Sequence, residues 1–238
     1  MVWSLREALR ASRTRRSLEP EIRKRLRRVK RGFLERPGLG QPLALARFVA
    51  LDLETTGPRM FIDRIISIGA VAVSERMVRH GDAYEALLRQ DRSSAVDNIL
   101  IHQIGGQEQL GGMDPVEALV GCLEFIGESR VVAFRAEFDA TVFEREVRER
   151  LGVRAWPRFL DLAALLPAMF PGTANDTLDD WVAHFRLPPI GRHHAIADAY
   201  ATAQLLMILL EAAPRFGIET TADLRDAEQA QRWLGRRR

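Results

Sequence analysis

The feature that most constrains the fold is an apolar run, residues 48–53, which carries one carboxylate, Asp52, and is followed at once by a second, Glu54. Residues i and i+2 of a β-strand point to the same face, so these two carboxylates are expected side by side. Like charges held this close repel each other unless a cation lies between them or one group takes up a proton. Residues 55–57 (Thr-Thr-Gly) then supply hydroxyl groups and a turn. The stretch therefore predicts half of a cation site at the end of a buried strand.

Composition places the chain among soluble globular proteins, with 47% apolar and 28% charged residues. Its 238 residues suffice for one sizeable α/β domain with an appendage. The sequence shows no uninterrupted apolar run of membrane-spanning length and no secretory signal. A single cysteine, Cys122, excludes an intrachain disulfide and a cysteine-based zinc site. We therefore expect a cytoplasmic protein without membrane contact.

The net charge of +3 conceals an uneven distribution. Residues 1–47 hold 14 Arg and Lys against 4 Asp and Glu, a local charge of about +10, which leaves about −7 on the rest of the chain. An acidic body with a basic arm suits a polyanionic partner and a site that collects cations. Apolar residues recur at helical spacing in the arm, so one helix face can pack on the body. Two interpretations stay open: a solvated helix docked on the domain, and an arm that binds nucleic acid or another partner.

Hydrophobic periodicity and turn residues predict the order of the elements. Strands are predicted at 47–54, 63–73, 77–88, 130–134 and 158–162. Helices are predicted at 3–16, 19–34, 97–104, 115–128, 138–151, 176–185, 194–213 and 220–234. This order predicts an α/β fold in which a meander begins a mixed sheet. We divide the chain into a basic helical extension with a linker (1–45), a core domain (46–213) and a C-terminal helix with a basic tail (214–238).

Two more acids follow, each in or beside a predicted helix. Asp139 lies just past the strand at 130–134, in the first turn of a predicted helix. An acid at such a position is most often there because it interacts favourably with the positive end of the helix dipole. Asp198 lies in an alanine-rich helix whose small residues allow close approach to the sheet, where an unpaired carboxylate is costly. A metal ion would remove that cost. His193, five residues before Asp198, is placed near the helix start, where an imidazole can act as a base near neutral pH.

The sequence resembles the DEDDh, or DnaQ-like, family of 3′–5′ exonucleases, which belongs to the ribonuclease H-like superfamily. The likeness is to the type found in the epsilon subunit of DNA polymerase III. It is carried by four acids and a histidine: Asp52, Glu54, Asp139, Asp198 and His193. Residues 52–57 match the family motif D-x-E-T-T-G, and residues 193–199 match H-x-A-x-x-D-A. Residues 134–139 match H-N-A-x-F-D in part, and residues 101–104 match an intervening I-H-x-I segment. The resemblance covers about residues 46–213 and implies a ribonuclease H-like mixed β-sheet flanked by helices.

The resemblance implies a hydrolytic mechanism with two divalent metal ions, Mg²⁺ or Mn²⁺. Asp52 would bridge the ions and the other three acids of the set would share the remaining positions, as suits hard cations with oxygen ligands. His193 would take the proton from the attacking water. His194, four residues before Asp198, is the alternative base. The expected products are nucleoside 5′-monophosphates released stepwise from a 3′ end.

The resemblance also implies contacts with the terminal nucleotide from Thr55, Thr56 and His102, and Arg135 and Phe138 are further candidate substrate-binding residues. Plainer interpretations are a threonine cap, a histidine at a helix end, a phenylalanine in the core and an arginine that pairs with Glu137 or Asp139. The His-Asn pair of the family motif is Phe134-Arg135 here. This change removes no metal ligand, but it leaves the substrate preference open.

The preferred hypothesis is a metal-dependent 3′–5′ exonuclease that acts on single-stranded or frayed 3′ ends, with DNA favoured, in proofreading or repair. One alternative is a catalytically silent nucleic-acid-binding or polymerase-associated module, and another is an exoribonuclease that trims RNA 3′ ends. The complete set of acids argues against the silent module. A DNA polymerase or another replication or repair protein is a candidate partner, although residues 229–234 fit a clamp-binding pattern poorly.

Overall fold

The computed structural model describes residues 5–35, 40–153, 157–172, 176–188, 191 and 194–235. The strands are β1 (Phe48–Thr55), β2 (Ile65–Ser74), β3 (Met77–Leu87), β4 (Arg130–Ala133) and β5 (Phe159–Asp161). The helices are α1 (Leu5–Ser17), α2 (Pro20–Glu35), α3 (Val96–His102), α4 (Gly106–Gly111), α5 (Pro115–Ile126), α6 (Glu137–Leu151), α7 (Leu162–Met169), α8 (Leu178–His184), α9 (Ala195–Ala212) and α10 (Thr221–Gly235). A short 3₁₀ helix, Ala213–Phe216, follows α9.

Strand β1 lies at the centre of a mixed sheet with the order β3-β2-β1-β4-β5. It runs antiparallel to β2, with Asp52 opposite Gly69, and parallel to β4, with Ala50 opposite Val132. Strands β1, β2 and β3 form the predicted meander, and β4 and β5 extend the sheet in parallel. The predicted mixed α/β architecture is confirmed. Its register fixes which residues of β1 face each layer of helices.

Alternate residues of β1 face two helical layers. Phe48 and Ala50 lie in a core formed with α7, α8 and α9. Val49 and Leu51 lie in a second core formed with α2, α5 and α6. Since Asp52 and Glu54 continue the row of Phe48 and Ala50, the strand directs both carboxylates toward the α9 layer.

The N-terminal extension packs on the second layer. Helix α2 buries its apolar row, Ile22, Leu26, Val29 and Phe33. The guanidinium of Arg25 bonds to the carboxylates of Glu117 and Glu124 on α5, at 2.6 and 2.7 Å. Helix α1 lies against α6, and at Gly152 (φ +62°) an added Cβ would overlap the backbone of Ala11. The predicted docking of one helix face is therefore confirmed.

One helix is absent from the sequence predictions, and a second, which was predicted, covers a surface that the sequence did not reveal. The sequence predicts no helix at Gly106–Gly111, where the structure has α4. This short helix is held by the buried amide of Gln109, which donates to the carbonyl of Ile104 at 2.9 Å and to the hydroxyl of Ser94 at 3.0 Å. Helix α10 was predicted only as a separate C-terminal element, yet it packs against α7 and β5. The C-terminal helix is thus part of the wall behind the sheet.

Helix α9 is both long and apolar. With the 3₁₀ helix that follows, the segment Ala195–Phe216 meets the length and composition of a membrane span, with a mean hydropathy of 1.4. However, 67% of it is buried inside the fold, and α9 packs on β1 and β2. The segment is the core helix of the domain.

Candidate active site

Three carboxylates meet where the end of β1 faces the start of α9. Asp52 and Glu54 are half-buried on β1, and Asp198 is buried in the first turn of α9. One oxygen from each of the three lies within 4.8 Å of the others. Three carboxylates at this spacing form a donor set that fits a hard divalent cation, because such cations prefer oxygen ligands. The structure thus brings together three of the four acids expected to hold metal.

The close approach of α9 depends on a glycine in the neighbouring strand. Gly69 of β2 lies opposite Asp52, and the first turn of α9 passes directly over it. A Cβ at Gly69 would lie 2.1 Å from the carbonyl carbon of Ala195. The alanines of α9 were expected to permit this approach, and the structure shows that a glycine in the sheet is needed as well. Sequence reasoning missed Gly69, because its role depends on the cross-strand register.

The fourth acid, Asp139, lies in the first turn of α6 and is buried. Burial raises the pKa of Asp139 to about 8, and the negative charges of Glu54 and Asp161 act in the same direction. Hydrogen bonds from its own backbone and from the backbone of Leu53 partly oppose this rise in pKa. Without a cation, burial therefore favours the protonated form of this carboxyl group. A nearby cation would favour the ionised form and so fits this position.

The turn that leads to Asp139 is held by an acid that sequence reasoning missed, Asp161. Its carboxylate caps α7 at the backbone of Ala163 (3.0 Å) and also accepts the backbone N–H of Arg135 (2.9 Å). Arg135 has φ of +57°, and its guanidinium donates to the carbonyl of Asp176 at 2.9 Å. Arg135 was expected to pair with Glu137 or Asp139 or to reach a phosphate, and the hydrogen bonds that the structure shows for it fix the loop. An acid between a short strand and a helix was the available signal for Asp161.

His102 lies at the end of α3 and is buried. Its Nδ1 accepts the backbone N–H of Ile104 at 3.0 Å. Burial lowers the pKa of His102, and the charge of His194 acts in the same direction. The interpretation of His102 as a helix-end residue is therefore confirmed. His194, which precedes α9, is exposed, whereas His193, the expected base, lies outside the described residues.

The two threonines after Glu54 shape the turn. Thr55 Oγ1 donates to the carbonyl of Gly57 at 2.7 Å, and Thr56 Oγ1 accepts the backbone N–H of Arg64 at 2.9 Å. The carbonyl of Thr55 in turn accepts the side-chain amide of Asn98 on α3 at 2.7 Å. Sequence reasoning missed Asn98, which connects α3 to this end of β1.

The two phenylalanines of the second motif pack against different cores. Phe134 contacts the α9 layer and Phe138 the α6 layer, and both are half-buried. Phe134 therefore packs on the core directly after the end of β4. Phe138 keeps part of its ring exposed beside Asp139.

The mixed sheet, its two helical layers and the acids at the end of β1 define a ribonuclease H-like nuclease domain. Residues 49–206 match the family model described as exonuclease (RNase T). The chain therefore belongs to the exonuclease family, in its DnaQ-like, DEDDh-type branch. This confirms the resemblance drawn from the sequence motifs.

Known proteins similar to the chain include two curated relatives and a solved structure. The PolC-type DNA polymerase III of Thermotoga petrophila is 31% identical over 181 residues, which cover 75% of this chain and 13% of that protein. The DNA polymerase III subunit epsilon of Aquifex aeolicus is 26% identical over 167 residues, which cover 69% and 80% respectively. Escherichia coli exonuclease I in complex with a dT13 oligonucleotide has the same fold, with a TM-score of 0.63, 18% identity, and coverage of 72% and 42%. The chain thus spans about an eighth of the PolC-type relative.

Proposed function

We propose that the protein is a divalent-metal-dependent 3′–5′ exonuclease that hydrolyses phosphodiester bonds at the 3′ ends of nucleic acid and releases nucleoside 5′-monophosphates. The observation that carries this proposal is the convergence of Asp52, Glu54 and Asp198 within 4.8 Å in a chain of the exonuclease family. Carboxylates placed this close need a compensating charge, which a pair of divalent ions supplies.

In the proposed mechanism, the carboxylate oxygens of Asp52, Glu54, Asp139 and Asp198 would hold the two ions. The ions, when bound, supply an activated water and stabilise the departing 3′ oxygen. His193 accepts the proton of that water, as the family motif implies. The small and apolar neighbours of Asp198 on α9 limit the water around its carboxylate and so strengthen its attraction for a cation.

We assign contacts with the terminal nucleotide to Thr55, Thr56, His102, Arg135 and Phe138. Their support is position: the threonines follow Glu54 directly, and Phe138 is next to Asp139. The charge of His194 contributes to the lowered pKa of His102, so the end of α3 lies near the start of α9. Arg135 follows β4 directly after Phe134 and lies four residues before Asp139.

We favour single-stranded or frayed DNA as the substrate. The two curated relatives are named as DNA polymerase III proteins, and exonuclease I was solved with a DNA oligonucleotide. By the same relationship, we propose a DNA polymerase or another replication or repair protein as the partner and the cytoplasm as the location.

The deciding experiment is a side-by-side digestion of end-labelled single-stranded DNA, duplex DNA and RNA, with Mg²⁺ or Mn²⁺ and with EDTA. We expect stepwise release of mononucleotides, fastest from single-stranded DNA and absent with EDTA. Asp52→Asn and Asp198→Asn should each lower the rate at least about 100-fold, because each removes a charge that holds metal. Glu144→Gln, at an exposed position of α6, is the matched control and should leave the rate unchanged. Undiminished digestion by either Asn variant would refute the assignment, and faster digestion of RNA would shift the substrate to RNA.

A further inference from the structure

A groove with a basic lining lies between α1 and α2, and all its lining residues except Val153 lie outside the matched exonuclease region. It has a volume of about 260 Å³ and is lined by Arg15, Arg16, Arg23, Leu26, Arg27, Lys30 and Val153. Five of these seven residues are cationic and none is acidic. Leu26 and Val153 give the groove an apolar floor. The groove therefore combines positive charge with a concave shape.

The cations of the groove are not used to dock the arm. Arg25, on another face of α2, makes the ion pairs that attach the arm to α5. Among the described residues, Arg15, Arg16, Arg27 and Lys30 form no ion pair, and all four are exposed. Arg23 is half-buried, and its guanidinium donates to the carbonyl of Arg16 at 3.1 Å, which ties α2 to the end of α1. Cations gathered without acidic partners repel each other, so an anionic ligand would stabilise them.

The groove is connected to the candidate active site by a single helix. Asp139 lies in the first turn of α6, and Val153, which lines the groove, lies two residues beyond the end of α6. At 1.5 Å per residue, the two are about 20 Å apart. A strand that keeps the 3.4 Å rise of stacked bases covers this distance in about six nucleotides. A nucleic acid with its 3′ end at the carboxylates is thus long enough to reach the groove.

We propose that this groove binds backbone phosphates of the substrate, several nucleotides away from the 3′ end that is hydrolysed. The identity of the substrate in this inference rests on the proposed exonuclease function. The binding of phosphates by the groove does not depend on that function. Arginine and lysine contacts of this kind add affinity without reading the sequence, and they depend strongly on salt. The groove would therefore favour long substrates over short ones.

The test compares two triple variants with the same change in charge. The groove variant carries Arg16→Glu, Arg27→Glu and Lys30→Glu. The control variant carries Arg13→Glu, Arg28→Glu and Arg31→Glu, at exposed positions of the same helices outside the groove. Binding of labelled single-stranded DNA of 20 and of 4 nucleotides is measured in EDTA at several salt concentrations, so that no hydrolysis occurs. Thermal unfolding of each variant verifies that the fold is retained.

We expect the groove variant to bind the 20-nucleotide DNA at least about 10-fold more weakly, with a salt slope smaller by about 2 for three lost phosphate contacts. Binding of the 4-nucleotide DNA should be unchanged, and the control variant should lose less than about 3-fold. Equal losses in the two variants would overturn the proposal, because a general charge effect would then explain them. Unchanged binding by the groove variant would also overturn it and would leave an acidic protein as the class of partner to test.

A second measurement separates this proposal from the proposed function. The p-nitrophenyl ester of thymidine 5′-monophosphate is too small to reach the groove, so with Mn²⁺ both variants should hydrolyse it at the wild-type rate. If the wild type hydrolyses neither this ester nor DNA, while the groove variant still loses affinity for the long DNA, the exonuclease proposal fails and the groove proposal stands.

Discussion

Gly69 is the residue whose substitution would most directly disturb the carboxylate cluster. In Gly69→Ala, the new Cβ would overlap the backbone of Ala195 and Ile196, so the start of α9 must move away from β2. We expect a loss of about 1–3 kcal/mol in the free energy of unfolding, as for other overpacked sites. We also expect most of the nuclease activity to be lost, because Asp198 moves with α9. Urea unfolding and digestion of single-stranded DNA with Mn²⁺ measure the two effects.

Gly81→Ala is the matched control for this change. Gly81 lies in β3, and an added Cβ there has no atom within 4 Å. Its stability should change by less than about 0.5 kcal/mol and its activity should not change. Full activity in Gly69→Ala would show that α9 adjusts without moving Asp198.

Glu146 of α6 provides a prediction about pH. Its carboxylate is buried and bonds to the guanidinium groups of Arg64 (2.8 Å) and Arg150 (2.6 Å). Burial by itself would raise the pKa of Glu146, but the hydrogen bonds from Arg150 and Arg64 outweigh burial and hold the pKa below its usual range. A carboxyl group with a lowered pKa stabilises the fold above its unfolded-state pKa, and this contribution is lost as the pH falls through the folded-state pKa.

Accordingly, Glu146→Gln should lower the free energy of unfolding by about 2–3 kcal/mol at pH 7, since it leaves the buried Arg145 and its neighbours without this negative charge. The difference from the wild type should shrink as the pH falls from 5 to 3. Urea unfolding at several pH values measures it, with Glu144→Gln as the exposed control on the same helix. A difference that is constant across this pH range would contradict the linkage.

The site residues that sequence reasoning found and those it missed differ in a physical way. Asp52, Glu54, Asp139 and Asp198 belong to motifs whose spacing is visible along the chain. Gly69, Asn98 and Asp161 act through partners that are distant in sequence, across a strand pair, a helix or a capped turn. Their roles depend on register and on tertiary distances, which the order of residues does not specify.

Among the elements, α10 has a larger role than its position near the C-terminus suggests. Arg232 of α10 bonds to Glu228 of the same helix at 2.9 Å and to Asp161 at the end of β5 at 3.3 Å. The carboxylate of Glu228 also accepts the backbone N–H of Asp161 at 3.2 Å. Because Asp161 holds the turn before α6, this network supports the placement of Asp139 from outside the matched exonuclease region.

We expect Arg232→Ala to lower the free energy of unfolding by about 2 kcal/mol, because it leaves the buried carboxylate of Glu228 without its cation. Burial already raises the pKa of Glu228, so the loss of this partner should raise its pKa further. Urea unfolding is the measurement. Arg225→Ala, which removes an exposed pair with Asp226 on the same helix, should cost less than about 1 kcal/mol. Equal effects of the two substitutions would show that the network adds nothing to an ordinary surface pair.

Most elements could be predicted because their hydrophobic period is clear over many residues, as in α2 and α5. Helix α4 could not, because it is six residues long and lies between glycines, a composition typical of a turn. Its stability comes from the buried amide of Gln109, a tertiary contact. For α10 the amphipathic pattern predicted the helix but not the surface that it covers.

Across the whole molecule, negative charge is concentrated in the body and positive charge in the arm. Asp52, Glu54 and Asp198 oppose folding by their mutual repulsion, and the burial of Asp139 and Asp198 adds to this cost. A cation that binds only the folded state stabilises it by mass action, about 2.7 kcal/mol at a concentration 100 times its Kd. Binding of Mg²⁺ or Mn²⁺ should therefore raise the stability of this protein.

We expect the midpoint of thermal unfolding to rise with increasing MnCl₂ and to return to its initial value when EDTA is added. Asp198→Asn removes one ligand and part of the repulsion, so this variant should be at least as stable as the wild type in EDTA and should gain much less from Mn²⁺. Glu144→Gln should respond as the wild type does, because its side chain is exposed on the outer face of α6. If Mn²⁺ raised the midpoint equally in Asp198→Asn and in the wild type, the stabilising ion would be bound elsewhere, and the cluster of Asp52, Glu54 and Asp198 would not be the metal site.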